Sequence, residues 1–251
     1  MKGLDHFVYT SAGDRPVNED AVRVKELADG GLYVLADGLG GHRDGALASA
    51  CAAEALTGAE SPEPGEETGE WLSRQIAGAN GRLLALQQEQ RSNMKSTIAA
   101  LYIRNRTACW ANVGDSRLYY IHRGELMAVT EDHSVSYKKY AAGEITREQI
   151  GQDEDQSRLL RVLGTEGGGR ADLASAEEPE AGDGFLLCSD GLWAYLRDQE
   201  VLVDFLKSST AKEWAEGLLL RVMERVKPGN DNLSLITVCV TWEDEKGEDG
   251  V

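Results

Sequence analysis

Leu32-Tyr33-Val34-Leu35-Ala36-Asp37-Gly38-Leu39-Gly40-Gly41-His42 is the passage on which the fold turns: a short apolar run that reads as a buried strand, ended by a glycine-rich turn beginning at Asp37-Gly38. A carboxylate where a strand gives way to a turn is held by the sheet yet faces solvent, so the turn is a place for a site. Working outward, strand-like runs at 6–10 and 21–27 precede it, and a helical stretch at 45–56 follows. Pro62, Pro64 and four Glu mark 58–69 as a solvated loop. Trp71, Ile76, Ala79, Leu83 and Leu86 then space out one face of an amphipathic helix over 71–90. Strands at 97–103 and 108–113 come next, with 118–122 expected to close a meander.

Between 134 and 156 the strands stop and short, charged helical segments replace them, an excursion from the sheet that reads as a flap on the substrate side. Strands at 173–176, 184–188 and 233–242 and helices at 198–207 and 211–226 complete the pattern, and the acidic end, 243–251, reads as a frayed tail. Strands gathered into meanders with helices grouped between them indicate an α+β sandwich rather than regular βαβ winding. The domain reading is one catalytic unit, 1–242, followed by that tail.

Composition narrows the function. The chain has 251 residues, 41% hydrophobic and 27% charged, enough for one sizeable core. Its net charge of −17 repels nucleic acid and anionic membrane surfaces at long range, so a phosphorylated partner needs a local basic group. No apolar run approaches the roughly 20 residues of a membrane span, and the first residues carry no signal-peptide core, so a cytoplasmic location is expected. Cys51, Cys109, Cys188 and Cys239 lie far apart without a C-x-x-C pair and read as reduced, buried fillers.

Asp20, Asp37, Asp190 and Asp231 all sit where expected strands meet loops. Any one Asp-Gly pair is most simply a turn. Four such carboxylates make a set of hard oxygen ligands suited to Mg²⁺ or Mn²⁺, and a following glycine lets backbone carbonyls approach an ion.

In chain order the sequence also carries Arg15-Pro16-Val17-Asn18-Glu19-Asp20, Ala36-Asp37-Gly38-Leu39-Gly40-Gly41-His42, Asn112-Val113-Gly114-Asp115-Ser116-Arg117, Asp132-His133-Ser134, Cys188-Ser189-Asp190-Gly191-Leu192-Trp193 and Gly229-Asn230-Asp231-Asn232. Together they resemble the PPM (type 2C) protein phosphatase family, in its bacterial single-domain form, over about residues 6 to 241. The resemblance implies a sandwich of two antiparallel sheets flanked by helices, a four-layer αββα arrangement, with a binuclear Mn²⁺/Mg²⁺ centre at one edge. It implies that Asp37 bridges the two ions, that Asp20, Asp190 and Asp231 hold one of them, and that the Gly38 carbonyl serves the other. Glu19 then holds a coordinating water, Arg15 binds the substrate phosphate, and Asp115 joins Asp190 at a third ion.

The implied activity is hydrolysis of phosphoserine and phosphothreonine in proteins by a water activated at the two ions, opposing a Ser/Thr kinase. Two cations about 3.5–4 Å apart can lower the pKa of a shared water and clamp the developing charge. Arg15 adds a planar, permanently charged fork matched to phosphate. The acid for the leaving group is harder to assign. Some family members have His directly after this Asp-Gly, whereas this chain has Leu39. His42 is a candidate, a water at the ions a better one, and His133 reads as a tether at the base of the flap.

Two departures bear on substrate selectivity rather than on the metal ligands. Lys95-Ser96-Thr97 stands where the family commonly has Gly-Thr-Thr, and Gly13 lies one residue closer to Arg15 than is common. The alternatives are a weakly catalytic regulatory or binding module of the same fold, and a hydrolase of small phosphoesters. Expected partners are phosphorylated proteins and a cognate kinase, with the chain a monomer.

Overall fold

The computed structural model describes residues 3–41, 43–63, 65–104 and 106–242. His42 and the expected acidic tail lie outside the described residues. The elements run β1 (Leu4–Ser11), β2 (Asp20–Leu27), β3 (Gly30–Leu39), α1 (Arg43–Thr57), α2 (Thr68–Gln90), β4 (Lys95–Ser96), β5 (Ile98–Arg104), β6 (Thr107–Val113), β7 (Arg117–His122) and β8 (Glu125–Val129). There follow α3 (Val135–Ala141), a 3₁₀ segment (Arg147–Gln152), β9 (Asp172–Glu177), β10 (Gly184–Cys188), α4 (Asp190–Trp193), α5 (Asp198–Lys207), α6 (Ala211–Met223) and β11 (Leu233–Val240).

Two antiparallel sheets face one another. One has the order β1-β11-β10-β7-β8, the other β2-β3-β5-β6-β9 with β4 beside β3. The alternation along β3 shows why its sequence is an unbroken apolar run. Leu32, Val34 and Ala36 pack with Ala48, Ala52, Leu56, Trp71 and Ile76 of α1 and α2, while Tyr33 and Leu35 enter the space between the sheets with Trp110, Tyr120 and Phe185. The other sheet's outer face, through Tyr119, Ile121 and Leu186, packs on Trp214 and Leu218 of α6. The expected four layers, helices on sheet on sheet on helices, are therefore observed.

Two expectations need correction. The strand over 32–36 does not end at Asp37. β3 runs on to Leu39 because β4 supplies it with partners, Gly38 opposite Ser96 and Leu39 opposite Lys95. The turn falls at Gly40 and Gly41, both at positive φ. Nor does 118–122 close a meander. After β6 the chain turns at Gly114 (φ 102°) and crosses to the other sheet, where β7 pairs with β10 and β8. Sequence periodicity identifies a strand but not which of two facing sheets receives it. β8 was not anticipated, the last helix stops at Met223, and the last strand stops at Val240.

Residues 134–156 contain α3 and the 3₁₀ segment and none of the named strands. Ser134 caps α3 by accepting from the Tyr137 N–H at 3.1 Å. The excursion is pinned by Ile150, which is fully buried against the helices of the first sheet, a contact worth about 1.5–3 kcal/mol. Cys109 and Cys188 are buried as expected, but Cys51 and Cys239 are only half-buried; all four are free. Burial pushes the Cys109 thiol up to about 11 and Cys239 up to about 12, which keeps them protonated. Among the described residues no helix is long and apolar enough to cross a membrane.

Candidate active site

The strand register brings the first two acidic residues together. Asp20 opens β2 directly opposite Asp37 on β3, a like-charge pair that a sheet does not tolerate for its own stability. Asp190 arrives from the other sheet, at the start of α4 just after β10, and Asp231 from the loop ahead of β11. Asp20 Oδ2 accepts from Ser189 Oγ at 2.9 Å, but Asp20 Oδ1 is buried with no hydrogen-bond partner. Burial, with the charges of Asp190 and Asp231, pushes the Asp20 carboxyl up to about 7 against the pull of two serine hydroxyls. Asp37 lies well above the carboxylate range, first through burial and then through repulsion from Asp20, Asp190, Asp115 and Asp231. Asp190 and Asp115 are raised by burial and by each other's neighbourhood of carboxylates.

Backbone packing explains the two glycines here. A Cβ on Gly38 would lie 2.0 Å from the Gly45 carbonyl, and one on Gly45 would lie 1.8 Å from Glu19 Oε2. The start of α1, the end of β3 and the Glu19 side chain are thus in mutual contact, and Gly38, which also lines the cavity, serves helix packing. Asn232 locks the opposite side: its Oδ1 accepts from the Glu19 N–H at 2.8 Å, and its Nδ2 donates to the Ala12 and Val17 carbonyls at 2.9 and 3.0 Å. Arg15, about half exposed, donates from Nη2 to Asp231 Oδ2 at 2.9 Å.

Arg15, Glu19, Asp37, Asp115, Asp190 and Asp231 line one cavity of about 260 Å³, with Leu39 on its wall. Asp20 does not line it but stands across the ladder from Asp37. Among the described residues no three carboxylate, imidazole or thiol groups form a closed ligand set. The donor set nevertheless fits hard divalent cations, which keep several waters and need one or two carboxylates each. An orphaned buried carboxylate oxygen and opposed, repelling carboxylates call for positive charge; among the described residues Arg15 stands at the rim, and Arg117, already paired with Asp132, acts on Asp115.

Residues 12–224 match the family described as protein phosphatase 2C. The chain belongs to the protein phosphatase 2C family. Its relatives include the serine/threonine phosphatase stp of Listeria welshimeri, 32% identical over 230 residues, which cover 88% of this chain and 89% of that one. Among solved structures, Mycobacterium tuberculosis PstP/Ppp superposes with a TM-score of 0.83 at 29% identity, covering 96% of this chain and all of that one. A structure of the PstP catalytic domain in complex with two manganese ions superposes with a TM-score of 0.80 at 28% identity, covering 96% and 99%.

In this phosphatase 2C family member several quoted motif residues serve the scaffold instead of the cavity. Arg117 forms a two-pronged pair with Asp132, Nε to Oδ1 at 2.8 Å and Nη2 to Oδ2 at 2.7 Å, with its Cζ 3.6 Å from the centre of the Trp193 ring. Trp193 Nε1 in turn donates to the Asp115 carbonyl at 2.9 Å. His133 is a tether: Nδ1 accepts from the Gly114 N–H at 3.0 Å, which leaves the ring proton on Nε2 for Asp172 at 3.1 Å. Burial lowers its pKa. Ser96 in the Lys95-Ser96-Thr97 departure still grips the site, donating to the Asp37 carbonyl at 3.0 Å, and Thr97 Oγ1 accepts from the Asp37 N–H at 2.9 Å.

Sequence reasoning missed Gln156, whose Nε2 donates to Asp190 Oδ2 at 2.8 Å from the end of the flap. Nothing in its sequence neighbourhood marks it, because the contact joins residues 34 apart. Ser189 and Asn232 stood inside quoted motifs without a role, and their position next to Asp190 and Asp231 was the available signal.

Proposed function

We propose that this protein hydrolyses phosphoserine and phosphothreonine in proteins, opposing a Ser/Thr kinase, with two Mn²⁺ or Mg²⁺ ions held by Asp20, Asp37, Asp190, Asp231 and the Gly38 carbonyl. Asp37 would serve both ions, Glu19 would hold a water beside them, and Asp115 with Asp190 would offer a third position. The observation that carries this reading is the pairing of Asp20 with Asp37 across β2 and β3, with one Asp20 oxygen buried and partnerless, beside Asp190 at a cavity rimmed by Arg15. Such ions, when bound, supply an activated water and neutralise phosphoryl charge.

The chain's own residues do the rest. Arg15 presents its guanidinium to the phosphoryl oxygens, a role open to it because it is half exposed and its Asp231 partner is itself a ligand for the ions. Gln156 and Ser189 each hold one oxygen of Asp190 and Asp20, which orients the other. His133 has both ring nitrogens engaged and does not protonate the leaving oxygen.

The test is phosphate release from a phosphothreonine peptide by purified protein with Mn²⁺, with Mg²⁺ and with chelator, beside Asp231→Asn and a nucleotide substrate. Metal-dependent turnover of the peptide, lost in the variant, is the expected result. No turnover with any metal would point to a binding module, and faster turnover of the nucleotide to a small-phosphoester hydrolase.

A further inference from the structure

A groove of about 940 Å³ leads away from the cavity, beginning at Arg15, Asp190 and Asp231. Gly151 and Gln152 of the 3₁₀ segment line it, as do Tyr195, Arg197 and Lys227 from the segments that follow Asp190 and precede Asp231. Its charges are unevenly committed. Arg225 grips Glu200 with two bonds of 2.7 and 2.6 Å. Arg197 and Lys227 are exposed, and neither side chain has an ion-pair partner among the described residues. Glu148 is near enough to feel Arg197 but forms no ion pair with it. In a chain of net charge −17, a lining in which Arg15, Arg197, Arg225 and Lys227 balance Glu148, Asp190, Glu200 and Asp231 makes this groove a local exception.

The cations are also tied to the site. Arg197 follows Asp190 by seven residues across α4, and Lys227 precedes Asp231 by four. Both cations therefore stand on the groove that leads away from the acidic cluster.

We propose that this groove receives the polypeptide flanking the phosphorylated residue, and that Arg197 and Lys227 select substrates with acidic side chains there. The inference rests on the phosphatase reading and adds the substrate class. The long-range field of the protein opposes such peptides, so the selection comes from short-range pairing and fades as salt rises.

The experiment compares kcat/KM for three phosphothreonine peptides differing only in acidic, neutral or basic flanks, in wild-type protein and in the double variant Arg197→Glu, Lys227→Glu, at low and high salt. The wild type should favour the acidic peptide by roughly 2–5-fold per cation, as exposed charge pairs do, and the double variant should lose or invert the preference. Equal kcat/KM for the three peptides in the wild type, or a preference that survives in the variant, overturns the proposal. Wild-type hydrolysis of p-nitrophenyl phosphate, which has no polypeptide, checks the phosphatase reading separately. If neither it nor the peptides turn over, that reading falls, and peptide binding by fluorescence anisotropy decides the groove: flank-dependent affinity sustains it and flank-independent affinity overturns it.

Discussion

Asp115 and Arg117 are two residues apart, yet they belong to opposite kinds of buried charge. Arg117 and Asp132 are almost wholly buried and satisfy one another, with Trp193 covering the guanidinium. Asp115, equally buried, joins the half-buried Asp37, Asp190 and Asp20, a group that repels itself and leaves one Asp20 oxygen without a partner. A closed pair is scaffold, because it asks nothing of the solvent. An open cluster of one sign is stable only with protons or cations, which is what a metal site requires before its ions arrive. The two share Asp132, whose charge also raises Asp115 and Asp190, so the scaffold pair borders the acidic cluster.

Breaking the closed pair should have the largest effect. Arg117→Ala leaves Asp132 buried without its counter-charge and is expected to lose about 3–5 kcal/mol in chemical denaturation. A loss under 1 kcal/mol would remove the distinction drawn here.

The open cluster should answer to pH in the opposite sense to an ordinary carboxylate ion pair. In chelator, folded Asp20 keeps its proton up to about pH 7, whereas the unfolded chain releases it near its ordinary value. The folded state therefore binds more protons in between, and the stability present below about pH 4 is lost as pH rises through about 7. Melting temperatures in chelator should fall across that window and flatten when Mn²⁺ is added; a rise with pH in chelator would contradict the open-cluster description.

Asp37→Asn sharpens the contrast by separating stability from function. It replaces a carboxyl whose charged form the fold disfavours with a neutral amide of the same shape, so the chelated protein should melt no lower than wild type, while turnover with Mn²⁺ falls on the order of 10²–10³-fold. A variant that unfolds in chelator would show that Asp37 is scaffold after all.

The smallest expected effect lies between the two regions. Gln156→Ala removes the bond that holds Asp190 and should weaken Mn²⁺ binding roughly 10–100-fold by calorimetry, with little change in stability. Unchanged affinity in the alanine variant would reduce the contact to packing.

Much of the site was legible because its residues sit in short motifs whose local chemistry is distinctive. Asp37-Gly38, Asp190-Gly191 and Gly229-Asn230-Asp231-Asn232 were all read as candidate ligand positions, and the structure brings Asp37, Asp190 and Asp231 to one cavity. The same motifs concealed the scaffold. Arg117, Asp132 and Trp193 were quoted beside the ligands, and nothing in a linear string separates a residue that lines the cavity from one that braces it.

Residue type and order are enough to reveal most of the elements, the apolar run of β3 and the acidic positions, because burial on both faces of a strand and hard-ligand chemistry are local properties. That β7 leaves the meander for the facing sheet, that Asp20 stands opposite Asp37, and that Gln156 reaches Asp190 emerge in the folded chain alone. Those facts depend on register and on contacts between distant segments, whose free energies appear only when the layers close on one another and which leave no local periodicity to be read.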